Sequence, residues 1–299
     1  MLFLIRALAR LSLCNLHRLG TWLGWLAYGL SGNYRRRLDR HARLAGLDVA
    51  QRRAAVAAAG QMVAELPRLW LRPVEQPLGG LVRWQGSELI DAALSSGRGT
   101  VILTPHLGCF EITAQAVAER FAARTQLTVM YRPARQAWLR QLEETTRVRP
   151  GLATAPAALA GVRQMIRALR RGESVGLLPD QVPPSGMGVW APFFGQPAYT
   201  MTLANRLVQQ TGATLLLIWA ERLPRGAGFV LRVSAPVQAM PTKRDDDGAW
   251  QVACATAINL EMQGLIMQTR DDAQVLQSTA LKWPQTVKGR LSNVALHNR

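Results

Sequence analysis

The sequence predicts an α/β sandwich with a mostly parallel central sheet, preceded by an apolar and basic N-terminal helix. Three observations lead there. Short apolar runs rich in β-formers alternate with amphipathic helical stretches over about 150 residues, the pattern of strand–helix–strand units. The 299 residues are 48% hydrophobic, which is ample for a buried core and excludes a disordered chain. The first 34 residues are greasier than the rest and lead directly into a run of arginines.

Taken in order, residues 1–34 form a segment in which Arg6, Arg10, His17 and Arg18 interrupt the apolar pattern. Its longest uncharged stretch, Leu19 to Tyr34, is about 16 residues, short of the roughly 20 that span a hydrocarbon core. No small-residue cleavage site follows an early apolar core, so a cleaved signal peptide fits poorly. A tilted, snorkelling membrane helix and a helix lying in the interface remain, the second with Trp22, Trp25 and Tyr28 at headgroup level. Arg35, Arg36, Arg37, Arg40, Arg43, Arg52 and Arg53 follow. Such a cluster is drawn to an anionic cytoplasmic leaflet by about 1 kcal/mol per residue near the surface. The expected organisation is a membrane-associating helix at 1–34 and one further domain at 35–299.

Residues 35–72 read as helical, with Val56, Ala59, Met62, Val63, Leu66 and Leu69 on one side. GTVILT (99–104) reads as a buried strand, 110–123 as a helix, TQLTVMYRP (125–133) as a second strand and 136–147 as a helix. Residues 157–171 carry a helical stripe, SVGLLPD (174–180) is a third strand, and 199–211 is a helix. Strands at 214–222 and 228–235 form a closing, antiparallel edge pair, and a helix covers 248–268.

The net charge of +17 and pI near 11.4 admit nucleic acid, anionic lipid or an acidic protein as partners. No helix-turn-helix, zinc or RNA-binding signature is visible, and much of the arginine sits beside the apolar N-terminus, which argues against nucleic acid. Mean hydropathy is +0.02, high for so basic a chain. The three cysteines, Cys14, Cys109 and Cys254, are far apart and show no paired spacing. They suggest neither a disulfide framework nor a metal site.

In mostly parallel sheets, sites gather beyond the carboxyl ends of strands. His106, Arg132 and Asp180 each follow one predicted strand. His106 is a natural general base near neutral pH. Glu111, five residues on, is placed to hold its imidazole if a helix begins near Gly108. The N–H groups of that helix terminus then face any oxyanion formed there. By spacing alone the pair is close to coincidence in a chain with four His and 19 acidic residues. Cys109 is a conceivable acyl-accepting nucleophile, though inert packing is the commoner role for such a residue.

Five segments in order carry a family resemblance: AELPRLWL (64–71), TPHLGCFE (104–111), YRPARQAWLRQLEETTR (131–147), LRRGESVGLLPDQ (169–181) and GVWAPFFGQPAYT (188–200). HLGCFE resembles the HX4(D/E) motif of glycerolipid acyltransferases. The chain from about residue 20 to 240 is similar to the late acyltransferases of lipid A biosynthesis, the lauroyl/myristoyl transferases. The resemblance implies a glycerol-phosphate-acyltransferase-like fold at the cytoplasmic face of the inner membrane. It implies acyl transfer from an acyl-acyl carrier protein to a hydroxyl of a lipid A precursor in an anionic membrane. His106 would be the base and Glu111 its partner; Arg132, Arg147 and Asp180 would bind substrate. No cofactor or metal is implied. Other lipid acceptors (a glycerophospholipid, an ornithine lipid, an inositol mannoside) and a catalytically degenerate basic membrane-binding relative are the alternatives. The C-terminal stretch AQVLQSTALKWPQ (273–285) lacks most of the aromatic and basic residues usual in such relatives.

Overall fold

A computed structural model of the chain describes residues 2–131, 136, 140, 149–242 and 246–268. Most of the predicted helix at 136–147, together with Arg132, Arg147 and the divergent tail, therefore lies outside the described residues.

The N-terminal segment is two helices, α1 (Leu2–Ala9) and α2 (Leu13–Leu30). Ser12 separates them and caps α2, its side chain accepting from Asn15 N. Helices α3 (Gly32–Leu44) and α4 (Val49–Trp70) follow. The helical pattern read across 35–72 is thus broken at 45–48, where Asp48 and Gln51 form a capping box that starts α4. Among the described residues no helix is long and apolar enough to cross a membrane.

Helix α2 lies tightly against α4. A Cβ on Gly60 would come within 1.9 Å of the Gly20 carbonyl oxygen, so only glycine permits this approach. Small residues rather than large ones therefore set which face of α4 is buried. Ala55, Val56, Ala58, Ala64, Glu65 and Leu69 are inside, whereas Val63, expected on the apolar stripe, is 60% exposed.

The remaining elements are β1 (Val82–Gln85), α5 (Ser87–Ser95), β2 (Thr100–Leu103), α6 (Phe110–Phe121), β3 (Leu127–Tyr131), β4 (Leu152–Pro156), α7 (Leu159–Arg170), β5 (Ser174–Leu177), β6 (Gly188–Phe193), β7 (Gln196–Met201), α8 (Leu203–Thr211), β8 (Thr214–Arg222), β9 (Phe229–Ser234) and α9 (Asp247–Gln268). Seven strands form one sheet in the order β1-β9-β8-β2-β5-β3-β4. Every pairing in it is parallel except β8 with β9. That antiparallel pair was expected at an edge, but β1 adds in parallel outside it. The α/β fold with a mostly parallel sheet is the one the alternating pattern implies.

Strands β2 and β5 are buried at every position, as interior parallel strands should be. One apolar cluster on Leu103, Leu177, Phe193 and Met262 and another on Ile102, Ile112, Phe121 and Ile218 cover the two faces. The stretch read as helix from 199 begins as strand β7, which pairs antiparallel with β6. Their turn, Phe194-Gly195, has positive φ at both residues, as a two-residue hairpin loop requires. Buried Asn259 on α9 holds this hairpin by donating to Pro192 O at 3.0 Å and Thr200 Oγ1 at 2.9 Å. Phe193 is fully buried, so the PFFG segment contributes core packing at that position.

Candidate active site

The register of the sheet builds the site. Leu103 at the end of β2 lies beside Leu177 at the end of β5. His106 is three residues beyond the first and Asp180 three beyond the second, so equal excursions from paired positions meet. Thr104 N donates to Leu177 O at 3.0 Å and keeps the two chains together past the last paired residues.

Asp180 is fully buried and grips the histidine twice. One carboxylate oxygen accepts from the backbone N–H of His106 at 2.8 Å, the other contacts ring Nδ1 at 2.9 Å. A carboxylate only accepts, so Nδ1 carries the proton, and in the neutral ring Nε2 presents its lone pair. The amide nitrogen of exposed Gln181 lies 3.2 Å from Nε2 and is oriented to donate to it. Phe110 packs beside the imidazole with ring centroids 4.5 Å apart.

Glu111 stands in the first turn of α6, where a negative charge is favoured by the helix dipole. One of its oxygens accepts from the indole N–H of Trp70 at 2.9 Å. The structure thus brings His106 and Asp180 into direct contact, and it ties Glu111, in the first turn of α6, to Trp70 at the end of α4. Arg132 and Arg147 are outside the described residues. Gln181 and Trp70 had drawn no attention in the sequence as site residues. For both a signal existed, since Trp70 belongs to AELPRLWL and Gln181 closes LRRGESVGLLPDQ.

Cys109, the N-cap of α6, is buried. Burial, reinforced by the charge of Glu65, pushes its thiol well above the ordinary range and keeps it protonated. This argues against a nucleophilic role. Among the described residues no His, Cys, Asp and Glu cluster has metal-holding geometry.

The arrangement is a buried carboxylate, an imidazole with a fixed tautomer, and a basic nitrogen facing outward beside a helix N-terminus. It can remove a proton from a hydroxyl and return it to a leaving group. A comparison with curated proteins found no match. The family described as bacterial lipid A biosynthesis acyltransferase matches residues 2–276, nearly the whole chain. With a match of that extent spanning every element that builds the site, the chain belongs to the bacterial lipid A biosynthesis acyltransferase family.

Proposed function

We propose that this chain transfers a fatty acyl group from an acyl-acyl carrier protein to a hydroxyl of a lipid A precursor, with His106 as general base. The observation that supports the reading is the His106–Asp180 pair, in which Nδ1–H donates to the carboxylate and Nε2 is left with the lone pair that a base needs. Nε2 takes the proton of the acceptor hydroxyl as its oxygen attacks the thioester carbonyl. The new C–O bond forms, the C–S bond breaks, and the imidazolium gives its proton to the departing thiolate. Asp180 holds the ring and balances the charge that appears on it. Glu111 adds a second negative charge nearby. Arg132 and Arg147 are the proposed contacts to phosphate or to the oxyanion.

The same reading puts the reaction at the cytoplasmic face of the inner membrane. Its support is an apolar strip left uncovered on α1 and α2, made of Phe3, Leu4, Trp22, Leu23, Leu26 and Leu30. Arg6, Arg10, Arg18, Arg35, Arg36, Arg40 and Arg43, all exposed, lie on the same helices, at the turn between them and on α3, which follows. Aromatic and aliphatic side chains flanked by arginine suit an anionic interface.

The test is acyl transfer from a labelled acyl carrier protein thioester, comparing wild type with His106→Ala and Glu111→Ala. Each substitution should lower the rate by at least about 100-fold. Near-wild-type turnover by a folded His106→Ala protein would remove His106 as the base. Mass spectrometry of the acylated lipid identifies the acceptor, and a labelled glycerophospholipid or ornithine lipid would replace the lipid A precursor in this reading.

A further inference from the structure

AELPRLWL (64–71) supplies Trp70 to the site, but its acidic residue points elsewhere. Glu65 is completely buried on α4. It receives Arg222, from the end of β8, through a two-pronged contact: Nε to Oε2 at 3.0 Å and Nη2 to Oε1 at 2.6 Å. His17 of α2 meets the same carboxylate, Nε2 to Oε2 at 3.1 Å. Burial pushes the Glu65 carboxyl up, but the Arg222 charge and hydrogen bonds from His17, Arg222 and Cys109 outweigh it and leave it below its ordinary range. Burial likewise pushes the Arg222 guanidinium down, and Glu65 more than restores it. Both partners remain charged.

Stability alone is a poor reason for such a pair, since a well-packed apolar pair of the same volume is often as good or better. Its contacts suggest another reason. Arg222 Nη2 donates to Gly108 O at 3.2 Å. Cys109 N donates to Ala220 O at 3.0 Å, so the peptide joining Gly108 to Cys109 is pinned at both its oxygen and its nitrogen. Gly108 sits at φ +58°, a conformation that turns the chain here without a Cβ penalty. The loop that carries His106 is therefore clamped from one side by Asp180 and from the other by the Glu65–Arg222 pair.

We propose that Glu65 and Arg222 are positioning residues for acyl transfer, setting the place of His106 and the start of α6 through the Gly108–Cys109 peptide. His17 ties α2 into the same brace. The inference rests on the reading of His106 as the base. A displacement of about 1 Å at a reacting group can cost about 100-fold in rate, so a loosened loop should show in turnover before it shows in folding.

Three variants of the full chain test it: Arg222→Lys, which keeps the charge and loses the two-pronged contact; the double variant Glu65→Gln/Arg222→Met, which removes the charges together; and Gly108→Ala, which disturbs the peptide and spares the pair. Each is assayed for kcat, for KM toward the acyl carrier protein thioester, and for the pH dependence of kcat/KM. Near-ultraviolet circular dichroism gives the folded fraction. The expected result is a kcat per folded molecule about 10- to 100-fold lower, KM within about threefold, and a displaced acid limb of the pH profile. A double variant that folds and keeps wild-type kcat and pH profile would overturn the proposal. So would losses in Arg222→Lys and Gly108→Ala that track the unfolded fraction alone. His106→Ala, assayed alongside, separates the two ideas. If it is inactive while the double variant is fully active, the brace fails and the base stands; if it is active, the base itself fails.

Discussion

Two histidine–carboxylate pairs lie on either side of one short loop, and their chemistry differs although their geometry is alike. His106 meets Asp180 at 2.9 Å and His17 meets Glu65 at 3.1 Å, and both carboxylates are fully buried. Glu65 also has a buried guanidinium, so its charge is neutralised within the core. The Asp180 oxygens accept from the backbone N–H of His106 and contact its ring. The second difference is the far side of the ring. Nε2 of His17 is the atom held by Glu65, whereas Nε2 of His106 faces the exposed Gln181. A histidine becomes a candidate base when one nitrogen is fixed by a buried carboxylate and the other faces an exposed side chain. It becomes scaffold when the whole ring is shut into the core, as His17 is.

The largest expected effect sharpens this contrast on the catalytic side. Asp180→Asn removes the charge and turns one of the two acceptors facing His106 into a donor, so the tautomer is no longer fixed; it should lower kcat by about 10²- to 10⁴-fold, measured by acyl transfer at saturating donor. Activity within a few-fold of wild type would mean that Asp180 is scaffold after all. On the structural side, Glu65→Gln strands Arg222 in the interior and should cost about 3–5 kcal/mol in urea unfolding. The double variant Glu65→Gln/Arg222→Met should regain most of that loss. Equal stability losses for Glu65→Gln and Asp180→Asn would erase the distinction between the pairs.

A third histidine extends the comparison and carries the smallest effect. His41 on α3 is buried, and burial with the charges of Arg37 and Arg40 lowers its pKa from 6.5 to about 4. The unfolded chain therefore takes up a proton first as the pH falls. Stability is complete above about pH 6.5 and declines toward pH 4. Thermal unfolding followed over that window should show the decline in wild type and a shallower one in His41→Gln. An unchanged slope would mean that His41 is not the group responsible.

The fold was legible because β2 and β5 are interior parallel strands that read as continuous apolar runs, and α7 and α9 are bounded close to where periodicity places them. Element β1 and the β6–β7 hairpin were not legible. β1 is four residues long with a half-exposed pattern, and the hairpin hides its strands behind proline and glycine. The buried face of α4 was misread because side-chain size marks an apolar stripe, whereas here glycine and alanine make the close contact. At the site, His106, Glu111 and Asp180 were legible from their places after strands or in a motif. The partner of His106 was not, because the contact joins residues 74 positions apart.

The sequence by itself determined the class of fold, the polar residues at the strand ends, the basic apolar N-terminus and the family resemblance. All of these are local patterns or ordered motifs. Only the tertiary structure decided which carboxylate meets which histidine. That choice depends on the register of β2 beside β5, and on α4 bringing Glu65 to the end of β8, 157 residues away in the chain. Pairing at such separations is set by packing of the whole domain, and no local pattern encodes it.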